Sequence, residues 1–251
     1  MRLDSLVQFL DDYLRIAAEV ADAPEALNGL QVSNSGDVTR LAAAVDLCEA
    51  TVRQAAEQHA DCLLVHHGMF WGGLRPLVGP AYRRLAGLIK ANIALYAAHL
   101  PLDRHPDVGN NPVLARMLGI KVRGDFGSYH GAPAGVWGEF SGKREDLNWA
   151  LTKSLGTAPR LFPFGPERVH RVGIVTGSGG SLIPQAAAAG LDTFVTGEGQ
   201  HWTFFDAEEL GVNVFYAGHY ATETVGVKAL AEHVSKKFDL PWVFLDHPTG
   251  L

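Results

Sequence analysis

Five residues in three short segments have the types and spacing of a divalent-metal site. His66-His67-Gly68 closes the apolar run 62–65. Asp103 follows the apolar run 93–98, with His99 between them, and His219 and Glu223 follow 212–216. Three imidazoles and two carboxylates make five ligating side chains, and a carboxylate that bridges two ions raises this to six protein bonds. Shared between two ions, that is three bonds each with an open position, the catalytic rather than the closed structural pattern. Two divalent ions bring more positive charge than two carboxylates remove, so such a site favours an anionic small-molecule substrate. Thiolate is absent from the set, which suits Zn, Fe, Mn, Co or Ni and argues against Cu(I) or iron–sulfur chemistry.

Each segment also has a plain structural reading. Neighbouring side chains on a regular strand point to opposite faces, so His66 and His67 reach one site only if the chain bends, as Gly68 would permit, or if each serves its own ion. Otherwise one of them is a satisfied core residue. Asp103 can be an ordinary turn residue, in a loop that Pro101 fixes by preventing helix continuation. His99 is read as a ligand, as a partner of a ligand or as a strand-end hydrogen bonder. His219 and Glu223 converge only if the turn between them is helical, and Thr222 offers an N-cap for the helix that follows. What joins the segments is that three strand ends of one chain each carry imidazole or carboxylate, where open α/β sheets place their binding crevices.

The elements that must position these residues follow from periodicity. Leu3, Leu6, Val7, Leu10, Leu14 and Ala17 repeat at helical spacing, and Pro24 closes that region. Asn28-Gly29 reads as a turn into Leu30-Gln31-Val32, and 33–36 breaks the chain. Strands are predicted at 41–47, 62–65, 93–98, 169–175, 192–196, 212–216 and 242–245. Helices are predicted at 49–59, 81–90, 112–118, 145–155, 182–190, 204–210 and 222–235. Strand, helix, strand is the signature of βαβ units. The Gly-rich, aromatic stretch 121–142 is expected to hold the domain junction, giving domains at 1–125 and 126–251. His99 and Asp103 match His219 and Glu223 at a fixed offset, which two weakly related α/β halves with helix-flanked mixed sheets would explain.

Composition excludes several classes. The 251 residues carry 21 Lys+Arg against 27 Asp+Glu, a formal charge of −6. No basic cluster marks direct nucleic-acid binding. Hydrophobic residues make up 47% of the chain, enough for a real core, and no apolar run reaches the ~18 residues that cross a bilayer. The acidic N-terminus is unlike a signal peptide, so a cytoplasmic protein is expected. Cys48 and Cys62 lack CxxC spacing and are expected to be buried apolar residues. Of the 11 histidines, His59, His105, His130, His170, His233 and His247 read as surface or packing residues.

These segments resemble the YbgI-like dinuclear metal-centre proteins, the GTP cyclohydrolase 1 type 2 homologues also called NGG1-interacting-factor-like proteins. The likeness is carried by Asn28-Gly29-Leu30-Gln31-Val32, Leu64-Val65-His66-His67-Gly68, His99-Leu100-Pro101-Leu102-Asp103, Thr196-Gly197-Glu198 and Ala217-Gly218-His219-Tyr220-Ala221-Thr222-Glu223. It implies two interlinked α/β domains and a ring-shaped homohexamer. It also implies two divalent ions held by His66, His67, Asp103, His219 and Glu223, with Glu223 bridging. Glu198 and His201, with His99, are candidates for proton transfer, a structural role being the competing reading for the first two. The implied activity is that of a metal-dependent hydrolase using a metal-bound hydroxide on a nucleotide-like or phosphate-bearing substrate. The alternative is a non-catalytic metal-binding regulatory or scaffold protein.

Overall fold

The computed structural model describes residues 1–17, 22–129 and 131–251; His130 lies outside them. In chain order the elements are α1 (Leu3–Leu14), β1 (Gly29–Val32), β2 (Leu41–Asp46), α2 (Glu49–Glu57), β3 (Cys62–His67), α3 (Gly79–Lys90), β4 (Ala94–Ala97), α4 (Leu100–Arg104) and α5 (Asn110–Met117). Then follow β5 (Lys121–Tyr129), β6 (Ala132–Lys143), α6 (Arg144–Leu155), β7 (Arg160–Pro163), β8 (Arg168–Val175), α7 (Ile183–Ala188), β9 (Thr193–Thr196), α8 (Thr203–Leu210), β10 (Asn213–Tyr216), α9 (His219–Phe238) and β11 (Trp242–Phe244). Two compact units result: 1–108 with 226–247, and 109–225 with 248–251.

The first unit has a five-stranded sheet in the order β1-β4-β3-β2-β11, parallel except for β1. Its central strands read Leu-Ala-Ala-Ala-Val and Cys-Leu-Leu-Val and are buried along their length, as expected of parallel strands covered on both faces. Helix α1 presents Leu3, Leu6, Leu10 and Leu14 as one buried stripe and ends at Arg15, which is left-handed at φ 55°. The second unit has a six-stranded mixed sheet, β5-β6-β8-β9-β10-β7, in which β8, β9 and β10 run parallel. Helices α5 and α6 add Leu114, Leu147 and Leu151 to a core shared with Val172, Ile174, Val195 and Phe215 of that sheet.

Several expectations need revision. The stretch 121–142 is no junction, because β5 and β6 pair as one long antiparallel hairpin inside the second sheet. The units therefore part after Val108 rather than at residue 125, and the chain from Gly226 to His247 rejoins the first unit. Pro101 starts the short helix α4 instead of fixing a loop, the position where its missing N–H costs nothing. Helix α9 begins at His219, so Thr222 lies inside it rather than at its cap. Cys62 is buried, but Cys48 is half-buried and caps α2, its Sγ accepting from the Thr51 N–H at 3.5 Å.

Gln31 ties the loop after His66-His67 in place. Its Oε1 accepts from the Met69 N–H at 2.7 Å, while its Nε2 donates to the carbonyls of Ala26 and Leu27 at 3.1 and 2.9 Å. A Cβ on Gly68 would stand 2.4 Å from Gln31 Oε1, so this position is glycine because an amide packs against it. Gln31→Ala should destabilise the protein by about 1–3 kcal/mol in urea unfolding and raise hydrogen exchange at the Met69 amide.

Candidate metal centre

In the first unit, His66 and His67 end β3, and His99 follows β4. These parallel neighbours bring the three rings together: the centroids are 4.7 Å apart for His66 and His67, and 4.9 and 5.7 Å from each of these to His99. One nitrogen of each lies within 4.8 Å of the others, a group that could hold a metal ion. All three are buried. Asp103, one helical turn beyond His99, places Oδ2 3.7 Å from His66 Nε2. It is not a member of the three-histidine group.

Each of these imidazoles has its other nitrogen engaged by an oxygen. His66 Nδ1 meets the Ala98 carbonyl at 2.9 Å, His67 Nδ1 meets Asp46 Oδ1 at 2.8 Å and His99 Nδ1 meets Asp22 Oδ1 at 2.7 Å. A carbonyl or carboxylate can only accept, so Nδ1 carries the hydrogen in all three. In the neutral ring this leaves the Nε2 lone pair to bind a metal or to take a proton. Asp22 is itself anchored by the N–H groups of Ala23 (2.7 Å) and Leu100 (3.1 Å) and by Asn28 Nδ2 (2.8 Å). Burial pushes its carboxyl pKa up, but the hydrogen bond and charge of His99, helped by Asn28 and Ala23, outweigh this and hold it below the usual value. Asn28 Oδ1 also accepts from the His99 N–H at 2.7 Å.

The second unit repeats the device. His219 opens α9 just after β10, its Nδ1 meets Glu198 Oε1 at 2.9 Å, and its Nε2 lies 3.2 Å from Glu223 Oε2 one turn along the helix. Glu198 follows β9, the parallel neighbour of β10, and is placed to orient His219. Thr222 accepts from the Gly177 N–H at 3.0 Å and donates to the His219 carbonyl at 3.0 Å. Two glycines make room: a Cβ on Gly177 would stand 2.2 Å from Glu223 Oε1, and one on Gly197 would stand 2.7 Å from His219 Cα. The loop 176–180 is no phosphate cradle. Its Gly177, Gly179 and Gly180 amides donate to Thr222 Oγ1, Thr196 Oγ1 and the Glu198 carbonyl. His201 is exposed, its ring edge-on to Phe205.

Burial lowers the His219 pKa, but its hydrogen bonds and charge contacts with Glu223 and Glu198 outweigh this and raise it to about 9. A metal bound through Nε2 must displace that proton. In the metal-free protein the sign is clear. A pKa raised above 6.5 contributes stability that is complete below pH 6.5 and lost as pH rises through 9.

Asp46 and Asp22 were not anticipated. Asp46 could have been, since it ends the apolar run 41–45 beside the His66-His67 strand. Asp22 carries no spacing signal toward His99.

Two mixed α/β sheets with histidines and carboxylates at parallel strand ends define a class of candidate metal-binding α/β proteins. The family model described as Duf34/NIF3 (NGG1p interacting factor 3) matches residues 1–249, and the chain belongs to that family. A Deinococcus radiodurans protein named GTP cyclohydrolase 1 type 2 homolog is 45% identical over 250 residues, 99% of this chain and 94% of its own. TTHA1606 of Thermus thermophilus is 47% identical with a TM-score of 0.90, and protein ybgI, described as of unknown function, is 38% identical with a TM-score of 0.93. Both structures are covered completely, as is this chain. Among the described residues no helix is long and apolar enough to cross a membrane.

Two outcomes test the geometry. Asp46→Ala, which removes the acceptor that fixes His67, should weaken metal binding about 10- to 100-fold by competition titration with little change in fold by circular dichroism. In metal-free protein the thermal midpoint should fall between about pH 6.5 and 9, and His219→Gln should flatten that fall.

Proposed function

We propose that the two half-sites serve one dinuclear centre of divalent ions, held by His66, His67, Asp103, His219 and Glu223 with Glu223 bridging. The protein is then a metal-dependent hydrolase acting on a small anionic, nucleotide-like or phosphate-bearing substrate. The supporting observation is the shared tautomer. His66, His67, His99 and His219 each have Nδ1 engaged by an oxygen, the arrangement by which proteins prepare imidazole for metal. Such a thiolate-free donor set suits Zn, Fe, Mn, Co or Ni.

When bound, such ions would supply Lewis acidity and lower the pKa of a coordinated water toward ~7. The chain's own residues do the rest. Asp22 fixes the His99 tautomer, leaving His99 Nε2 as the group that takes or returns a proton. Glu198 and Asp46 keep His219 and His67 in register. The relatives' shared name, GTP cyclohydrolase 1 type 2 homolog, makes GTP the first substrate to try. A ring-shaped homohexamer belongs to the same proposal, and the exposed Trp202, Phe205 and Leu210 on and beside α8 supply apolar surface for it.

The test is metal analysis followed by reconstitution with Zn, Mn, Fe, Co or Ni and assay against GTP, other nucleotides and phosphoesters. Turnover that needs metal and vanishes in Glu223→Ala is the expected result. Full metal occupancy without turnover of any substrate would overturn the hydrolase reading and favour the metal-binding regulatory or scaffold role. Native mass spectrometry should show six chains.

A further inference from the structure

The segment following His66-His67-Gly68 carries an aromatic ring that the metal chemistry does not use. Trp71 leans on the histidine cluster, its ring centroid 4.4 Å from that of His99 and 4.9 Å from that of His67. It is nevertheless 40% exposed. Burying an indole fully is favourable by kilocalories, so an indole that packs at a tilt against His67 and His99 and stays 40% exposed leaves part of its ring open beside them. Gly72 and Gly73, at φ 87° and 89°, take left-handed conformations that ordinary side chains resist, and they turn the chain immediately after the ring.

The same loop carries a cation. Arg75 is the sole charged residue from Gly68 to Val78. Its Nη2 donates to the Gly72 carbonyl at 3.2 Å, and a Cβ on Gly72 would stand 2.8 Å from that nitrogen. The guanidinium is thus folded back onto the residue next to Trp71. It is exposed and forms no ion pair among the described residues. A planar, weakly hydrated guanidinium is the side chain best matched to phosphate, and an indole face accepts any nucleobase.

We propose that this loop is the nucleotide-reading element of the first unit's histidine cluster, Trp71 stacking on the heteroaromatic ring of the ligand and Arg75 pairing with its phosphate. The inference rests on the reading of the substrate as nucleotide-like and adds the residues that select it. It requires no turnover to be read.

Three probes separate the roles: guanosine supplies the ring alone, ribose 5-phosphate the phosphate alone, and GMP both. Calorimetric titration of the metal-loaded full chain should show Trp71→Ala weakening guanosine and GMP about 5- to 100-fold, with ribose 5-phosphate within about twofold of wild type. Trp71→Phe should retain most of the affinity. Trp71→Leu, which keeps apolar volume without a π face, should behave as Trp71→Ala and serves if the alanine variant folds poorly. Arg75→Ala should weaken GMP and ribose 5-phosphate while sparing guanosine. Equal GMP affinity in wild type and Trp71→Leu, loss of all three probes alike, or no binding of any probe to wild type would overturn the inference. Ring-dependent binding without turnover sinks the hydrolase reading and leaves this one standing. Metal-dependent nucleotide turnover whose KM ignores both residues does the reverse.

Discussion

The hydrogen bond from each imidazole Nδ1 to an oxygen is the constraint on which the site depends. Without it, a neutral histidine can present either nitrogen, and a ring at a strand end can turn away from its neighbours. With it, tautomer and ring orientation are set before any ion arrives. The acceptors come from the sheets themselves. Asp46 stands opposite His67 in the parallel register of β2 and β3, the Ala98 carbonyl follows β4 beside β3, and Glu198 follows β9 beside β10. Slipping the register of β2 against β3 by one residue would send the Asp46 side chain to the opposite face and leave His67 without its acceptor. The long apolar runs of β2, β3 and β4 that hold this register therefore also hold His67 against its acceptor.

Close approach of backbone is the second requirement, and glycine meets it in both units. Gly68 yields to the Gln31 amide, Gly177 to the Glu223 carboxylate and Gly197 to the His219 backbone. Of the three, Gly177 alone also sits at positive φ, 67°. At the other two the missing side chain matters for space rather than for dihedral freedom, so even alanine would have to displace a neighbour that the site needs. The HHG, TGS and TGE segments thus share one physical reason for their glycines.

The residue types of the candidate site were legible in the sequence because strand ends are local features. An apolar run, a stop and then His66-His67, or His99 with Asp103, can be read without knowing the fold. The helical turn needed for His219 and Glu223 is present because α9 starts at His219 itself. What escaped depends on contacts between distant segments. Asp22 reaches His99 across 77 positions of chain, and nothing in either segment announces the other. The packing of Gln31 against Gly68 likewise joins residues far apart in the chain. The domain boundary was misplaced for a related reason. Glycine and aromatic residues in 121–142 serve a long hairpin as well as they would a linker, and composition cannot separate the two.

The two half-sites are chemically unequal, and this bears on where a ligand would go. The first unit offers three imidazoles with Asp103 nearby, whereas the second offers one imidazole between Glu198 and Glu223. An ion held mainly by imidazoles keeps more of its positive charge than one held mainly by carboxylates, so it attracts an anionic group more strongly. Trp71 and Arg75 lie on that imidazole-rich side, in the residues that immediately follow the ligand strand. Under the proposed dinuclear arrangement, charge and shape then act in the same place. An ion held by these imidazoles would favour the anionic part of a substrate, which Trp71 and Arg75 of the adjoining loop would then orient. A purely structural metal would have no use for either inequality, since four closed ligands leave no direction from which a substrate could approach.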